Sequence, residues 1–138
     1  MTYYKVVKEQ YTCAGKVLVS AWTSQRLDKD DILCVQYSLE EWTYPKLKGS
    51  KLFVCDNYKG AVEFCDMVYA DSIYECEVRR PQKTGPFHSL INKRYDTIIE
   101  MWRLYKNKKK YRHLTYDCPA VRTVWVDAVK LTKRINWR

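Results

Sequence analysis

The chain has 138 residues, of which 46% are hydrophobic and 14% aromatic, and it contains only four Gly and four Pro. This composition excludes a collagen-like or disordered protein, and the length fits a single domain, 1–138, with a sizeable core. The apolar runs are too short to cross a bilayer and the N-terminus lacks the apolar stretch of a secretory signal. We therefore expect a protein that is neither embedded in a membrane nor secreted.

The first part of the chain has the residue pattern of a β-sheet. β-Branched and aromatic residues predict strands over 3–8 and 16–22. A polar turn over 27–31 then leads into an extended segment over 32–44, and a short apolar strand is predicted over 51–56.

The middle of the chain predicts one helix and one half-buried strand. Apolar residues recur at helical spacing over 58–70, and Asp56 or Asn57 can cap the start of that helix. The segment 72–80 alternates between apolar and charged residues, which predicts a strand with one buried face. The buried face would carry Tyr74, Cys76 and Val78, and the outer face Glu75, Glu77 and Arg79.

The last third predicts a second helix and a final strand. Turn-forming residues favour a loop over 80–87, and a stripe of apolar residues predicts a helix over 92–107. After a loop over 115–119, the segment 121–135 fits either a helix or a strand, and its many β-branched residues favour the strand. The fold class is therefore α+β, a single domain with a mainly antiparallel sheet and about two helices.

The six cysteines are expected to be reduced. None forms a CxxC pair, and several lie within apolar runs, where a free cysteine behaves as a small buried hydrophobe. The wide spacing also argues against a zinc site, so we expect no metal. With four glycines and no glycine-rich motif, a phosphate-cradling loop and a nucleotide cofactor are not expected either.

The net positive charge of the chain comes entirely from its C-terminal third. Residues 1–91 hold 12 Lys/Arg and 12 Asp/Glu, whereas residues 92–138 hold 13 Lys/Arg and 4 Asp/Glu, a net charge of +9. A localised positive field attracts polyanions, and tyrosines among the cations can stack on bases. The alternative is a solvated helix end. The candidate residues for binding an anion or nucleic acid are Tyr105, Lys106, Lys108, Lys109, Lys110, Tyr111, Arg112, Lys130, Lys133 and Arg134.

An enzymatic alternative depends on two carboxylates. Glu75 and Glu77 would share one face of their strand, as the Glu-x-Glu pair of mono-ADP-ribosyltransferases does. The same spacing arises on any solvent-facing strand, and the segment 19–24 matches the accompanying Ser-Thr-Ser element only in part. The two histidines, His88 and His113, have no evident catalytic partner in the sequence and are expected at the surface.

Three stretches follow one pattern, in which an extended VQY…EW segment leads to a KLFV strand, a helix and an ECEV strand. They are "VQYSLEEWTYPKLKGSKLFVCDNYKGAVEFC" (35–65), "IYECEVRRP" (73–81) and "TVWVDAVKLTKRI" (123–135). In these stretches the chain resembles a group of small uncharacterised proteins of phages and large DNA viruses, notably algal viruses. The resemblance implies a shared α+β fold and a viral origin, and it implies no catalytic residues.

The sequence thus predicts a non-enzymatic, virus-encoded interaction protein whose basic C-terminal surface docks nucleic acid or an acidic protein. A domain of this size can bury two or three of its five tryptophans, and the others are expected in interfaces, where aromatics are enriched, as in a homo-oligomer or as a minor component of a virion. The alternative is a large aromatic core that holds all five. The expected location is the host cytoplasm or nucleus, or the virion. The alternative is a small ADP-ribosyltransferase-like enzyme that uses Glu75 and Glu77.

Overall fold

The structure is a computed structural model that describes residues 2–13, 15–20, 35–67, 70–83, 88–89, 95–110, 116–117 and 123–136. In chain order its elements are β1 (Tyr3–Thr12), β2 (Gly15–Ser20), β3 (Gln36–Tyr37), β4 (Trp42–Thr43), β5 (Leu52–Cys55), α1 (Tyr58–Met67), β6 (Ser72–Arg79), β7 (Gln82–Lys83), β8 (His88–Ser89), α2 (Tyr95–Lys106), β9 (Tyr116–Asp117), β10 (Thr123–Val126) and β11 (Ala128–Ile135). The mainly antiparallel sheet and the two helices of the described part confirm the predicted α+β class.

Nine strands form one sheet that curls on itself. Seven follow the order β4-β11-β6-β1-β5-β10-β7, while β2 pairs with β1 and β3 pairs with β2. Strands β10 and β11 stand far apart in that order, yet only Asp127 separates them in the chain. The two sides of the sheet must therefore meet at Asp127, whose N–H donates to the carbonyl of Arg79 at 2.9 Å. The result is a nearly closed, barrel-like sheet.

The barrel interior and the two helices make three apolar clusters. The interior cluster includes Val7, Val54 and Leu131. Helix α1 covers part of the outer surface near Cys55 and Ile73, and α2 covers another part through an aromatic cluster that contains Trp102, Phe53 and Trp125. Because side chains alternate along a strand, β5 sends Leu52 and Val54 inward and presents Phe53 and Cys55 to the helices.

A buried lysine lies where β1 changes its neighbour. Strand β1 pairs with β5 at Tyr4 and with β2 from Val7 onward. Between these points Lys5, only 6% exposed, donates a hydrogen bond from Nζ to the carbonyl of Phe53 at 2.6 Å. Its Nζ also lies 5.2 Å from the ring centroid of Tyr37. The ammonium therefore satisfies a backbone acceptor at the point where two strands separate.

Most predicted elements are confirmed with shifted bounds. Helix α1 begins after Asn57, whose Oδ1 accepts a hydrogen bond from the N–H of Gly60 at 2.6 Å, as expected of the cap. The described part of the segment predicted over 121–135 is strand, as predicted, but Asp127 divides it into β10 and β11. Strand β1 continues to Thr12, beyond its predicted end at residue 8.

Two predicted loops contain short strands. Strand β7, within the loop predicted over 80–87, pairs with β10, and β9, within the loop predicted over 115–119, pairs with β8. A pair of residues is too short to show alternation, so the sequence pattern could not reveal them. The predicted turn over 27–31 lies outside the described residues, as do Cys34 and Cys118.

Three cysteines are buried, as predicted, and one is not. Cys55, Cys65 and Cys76 are free and buried, and burial raises the pKa of Cys55 and of Cys76 to about 12. Cys13 is also free but exposed, because it occupies the turn between β1 and β2 and not an apolar strand face.

Candidate functional site

The structure contains a groove at the C-terminal end of α2, which we call the basic groove. It is open to solvent and has a volume of about 640 Å³. One side is the turn that precedes β5, the other is the end of α2, and the corner between β10 and β11 contributes to the lining. The lining residues are Gly49, Ser50, Lys51, Tyr105, Lys106, Lys108, Lys109 and Asp127.

The turn before β5 is shaped to pack closely against α2. Gly49 has φ +86°, a conformation that favours glycine, and a Cβ atom there would lie 2.9 Å from Cδ of Lys106. The hydroxyl of Ser50 donates to the carbonyl of Leu47 at 2.7 Å, which closes the turn. Leu47 in turn packs against the aromatic cluster beneath α2. The turn therefore fixes one side of the groove to the core.

The end of α2 brings three lysines to the same groove. Lys108 adopts the left-handed conformation with φ +57°, the N–H of Lys109 donates to the carbonyl of Leu104 at 2.9 Å, and that of Lys108 donates to Tyr105 at 3.1 Å. This is a Schellman C-cap in which lysine occupies the position that glycine usually takes. In a continuing helix, which turns by about 100° per residue, residues 106, 108 and 109 would point up to about 160° apart. The reversal of the chain instead lets all three line the groove.

Some charged side chains of the groove form ion pairs, and others do not. Asp127 forms ion pairs with Lys51 and with Arg80, the latter at 3.4 Å. In contrast, Lys106, Lys108 and Lys109 are exposed and form no ion pair with any described residue. The lining therefore carries four lysines against one aspartate, and that aspartate is already neutralised.

Tyr105 forms an aromatic wall of the groove. Its ring makes T-shaped contacts with Trp102 at 5.6 Å and with Trp125 at 5.3 Å, measured between ring centroids. Its hydroxyl donates to Oε1 of Gln82 at 3.3 Å. These contacts hold a half-exposed ring beside the three lysines.

The candidate cations of β11 are not among the residues that line the groove, and two of the three form ion pairs. Lys130 contacts Glu77 at 2.7 Å and Arg134 contacts Glu9 at 3.6 Å. Only Lys133 is exposed without an ion pair to a described residue. Acidic residues of the first two-thirds of the chain therefore neutralise part of the C-terminal positive charge that the structure describes. Lys110 is exposed next to the groove but does not line it, and Tyr111 and Arg112 lie outside the described residues.

The two carboxylates of the enzymatic alternative lie on the outer face of β6, as the alternation predicted. The backbone of Glu77 lies opposite that of Lys130, and that of Glu75 opposite Lys133. The Lys130 side chain lies between Glu77 and the Trp42 ring, 5.4 Å from the ring centroid. Glu77 is therefore engaged in a cross-strand row of side chains. The side chains of both histidines lie outside the described part of the structure.

Sequence reasoning did not assign four residues of the lining to a site, Gly49, Ser50, Lys51 and Asp127, nor Arg80, which pairs with Asp127. Lys51 and Asp127 are 76 positions apart in the chain and meet only through the curl of the sheet. A glycine in a turn rich in lysine was the one available signal, and it does not show which helix the turn contacts.

No protein-family model, curated protein or solved structure matches the chain. Within the described ranges, neither helix has the length and apolar character needed to cross a bilayer. In the same residues, no group of three or more His, Cys, Asp and Glu side chains could hold a metal ion. What the groove can bind is therefore argued from its own side chains.

Proposed function

We propose that this protein is a non-enzymatic interaction protein that binds a polyanionic partner, either nucleic acid or an acidic protein surface, in the basic groove. One observation carries the proposal. Lys106, Lys108 and Lys109 line the same groove without an acidic partner among the described residues, whereas Lys130 and Arg134 of β11 are already paired. The unpaired cations are the ones that a polyanion can neutralise.

The backbone at the end of α2 does not oppose an anion as strongly as a bare helix end would. The C-terminus of a helix carries partial negative charge on its last carbonyls. Here the carbonyls of Arg103, Leu104 and Tyr105 accept hydrogen bonds from the N–H groups of the capping turn. The three lysines add full positive charges at the same place, so the net field in the groove is positive.

The viral origin and the role as a minor virion component remain proposals that are supported only by the residue pattern over 35–65, 73–81 and 123–135. They agree with a polyanion-binding surface, since a virion component lies near the genome or among acidic partners. Mass spectrometry of purified virions would detect the protein if it is a virion component, and its absence from them would limit it to the host cell.

Two triple variants test the proposed function. The first replaces Lys106, Lys108 and Lys109 with Gln. The matched control replaces the β11 cations Lys130, Lys133 and Arg134 with Gln, and so removes the same charge elsewhere. Binding to heparin, a generic polyanion, is measured by calorimetry at 0.15 M salt, where exposed charges beyond about 8 Å are largely screened.

We expect the groove variant to lose about tenfold or more in heparin affinity, because three counterion-releasing contacts disappear. The control should lose clearly less. Equal losses in the two variants would show that net charge alone governs binding, and the groove would then have no special role. Circular dichroism of both variants checks that each remains folded.

A further inference from the structure

We infer that the occupant of the basic groove is a single strand of nucleic acid, held by its phosphates and by one base, without selection of base sequence. This inference rests on the proposed function, which a polyanion of another class would also satisfy. Three features of the lining favour the single strand: an aromatic wall, point charges of one kind, and an open groove of limited size.

The aromatic wall is the feature that an acidic protein would leave unused. Tyr105 is the aromatic side chain that lines the groove, and it adjoins the three unpaired lysines. Proteins that bind single strands combine a basic track for the phosphates with aromatic rings on which bases stack. A run of carboxylate side chains offers no π-face to such a ring. The combination of Tyr105 with Lys106, Lys108 and Lys109 therefore matches a nucleotide better than it matches an acidic peptide.

The cations of the lining indicate contact with phosphates and not the reading of bases. All four are lysines, and Arg80, which contacts the lining residue Asp127, is engaged by that carboxylate. Lysine acts as a flexible point charge, whereas specific base recognition most often uses the planar, two-pronged guanidinium of arginine. Arg103, in the last turn of α2, is held by Glu100 at 2.8 Å. The groove is thus equipped to position a backbone without selecting a sequence.

The dimensions favour a single strand over a duplex. A space of about 640 Å³ between a turn and a helix end is in the range of sites for ligands of drug-like or nucleotide size. A duplex is a wide cylinder whose bases face inward, so it would touch the rims of the groove and leave Tyr105 without a stacking partner. A single strand can place a phosphate among the lysines and turn one base to the tyrosine.

The test uses the full chain and four fluorescent probes in anisotropy titrations. They are a twelve-nucleotide oligo(dT), an abasic oligonucleotide of equal length and charge, a duplex of that length, and an oligoglutamate of equal net charge. Each is titrated at several salt concentrations with the natural chain, with Lys109→Gln, and with Lys133→Gln as the control of equal charge on β11.

Oligo(dT) should bind most tightly, and the abasic strand about 5- to 150-fold more weakly, since stacking of a single base contributes about 1–3 kcal/mol. For the natural chain, a plot of log K against log salt concentration should have a slope near −2, which corresponds to three phosphate contacts. In Lys109→Gln the slope should be less negative by about 0.7, whereas in Lys133→Gln it should stay the same. Oligo(dA) and oligo(dC) of the same length, titrated as additional probes, should bind with nearly the same affinity as oligo(dT). Tighter binding of the abasic strand or of the duplex overturns the inference.

The inference and the proposed function can fail separately. If oligoglutamate binds as tightly as oligo(dT) and Lys109→Gln weakens it, the groove binds polyanions but its occupant is an acidic protein, and the inference is wrong. If every probe binds equally to Lys109→Gln, Lys133→Gln and the natural chain, both statements are wrong. Because the abasic probe removes the base from the ligand, the stacking step is tested without altering Tyr105 and the aromatic cluster beneath it.

Discussion

Replacing Lys108 with glycine should remove a positive charge from the basic groove and at the same time stabilise the fold. Lys108 occupies the left-handed position of the α2 cap at φ +57°. A residue with a Cβ atom in this conformation costs about 1–2 kcal/mol relative to a right-handed one, and glycine avoids that strain. Glycine also loses more conformational freedom on folding, which offsets about 0.4–1 kcal/mol of the gain. We therefore expect Lys108→Gly to raise the free energy of unfolding by about 0.5–1 kcal/mol.

For a chain of 138 residues this increase corresponds to a rise in Tm of about 2–3 °C, given an unfolding entropy of about 2.1 cal/mol/K per residue. The same substitution removes one cation from the groove. Loss of one phosphate contact makes the slope of log K against log salt concentration less negative by about 0.7. For a single strand at 0.15 M salt this change corresponds to a loss of affinity of roughly fourfold. The variant should thus be more stable and bind more weakly.

The assays are differential scanning calorimetry and anisotropy titration with oligo(dT). Lys108→Ala is the control, because it removes the same charge and keeps a Cβ atom in the strained conformation. It should lose the same fourfold in affinity without the gain in Tm. A fall in Tm for Lys108→Gly would refute the assigned cap geometry, and unchanged affinity in both variants would remove Lys108 from the binding surface.

Three further predictions concern the groove and the core. Asp127→Asn should strengthen polyanion binding by a few-fold, because it releases the two cations that the carboxylate holds; weaker binding in titrations would contradict this electrostatic account. Gly49→Ala should lower Tm and weaken binding together, since its Cβ atom meets the Lys106 side chain at a strained φ; unchanged thermal unfolding would show that the turn adapts freely. The raised pKa values of Cys55 and Cys76 mean that the folded state favours the protonated thiols. Their contribution to stability is complete below the unfolded pKa near 9 and declines towards pH 12. The free energy of unfolding, measured by urea titration, should therefore fall between pH 9 and pH 12. In Cys76→Ala this fall should be smaller, because one of the two thiols is absent.

Local patterns in the sequence predict much of the architecture. The alternation over 72–80 correctly assigns Tyr74 and Cys76 to the interior and Glu77 to the outer face, because a strand has a strict two-residue period. The β-branched residues over 121–135 likewise favour strand over helix. The break at Asp127 was not predictable, since the residues on both sides of it have the same β-forming character.

The groove depends on contacts that have no local signal. The cluster of lysines at the end of α2 was visible in the sequence, but its arrangement requires Lys108 to adopt a conformation that usually indicates glycine. The pairing of Lys130 with Glu77 follows from the register of β11 against β6, which only the folded sheet defines. Net charge by segment therefore overestimated the positive surface that is open to a partner.

The most direct measurement is lysine footprinting of the natural chain by brief acetylation and mass spectrometry, with and without saturating oligo(dT). If the basic groove is the binding site, acetylation of Lys106, Lys108 and Lys109 should fall several-fold in the complex, while that of Lys133 stays unchanged. If Lys133 is protected and the three lysines at the end of α2 remain reactive, partner binding occurs elsewhere on the molecule and the central claim is wrong.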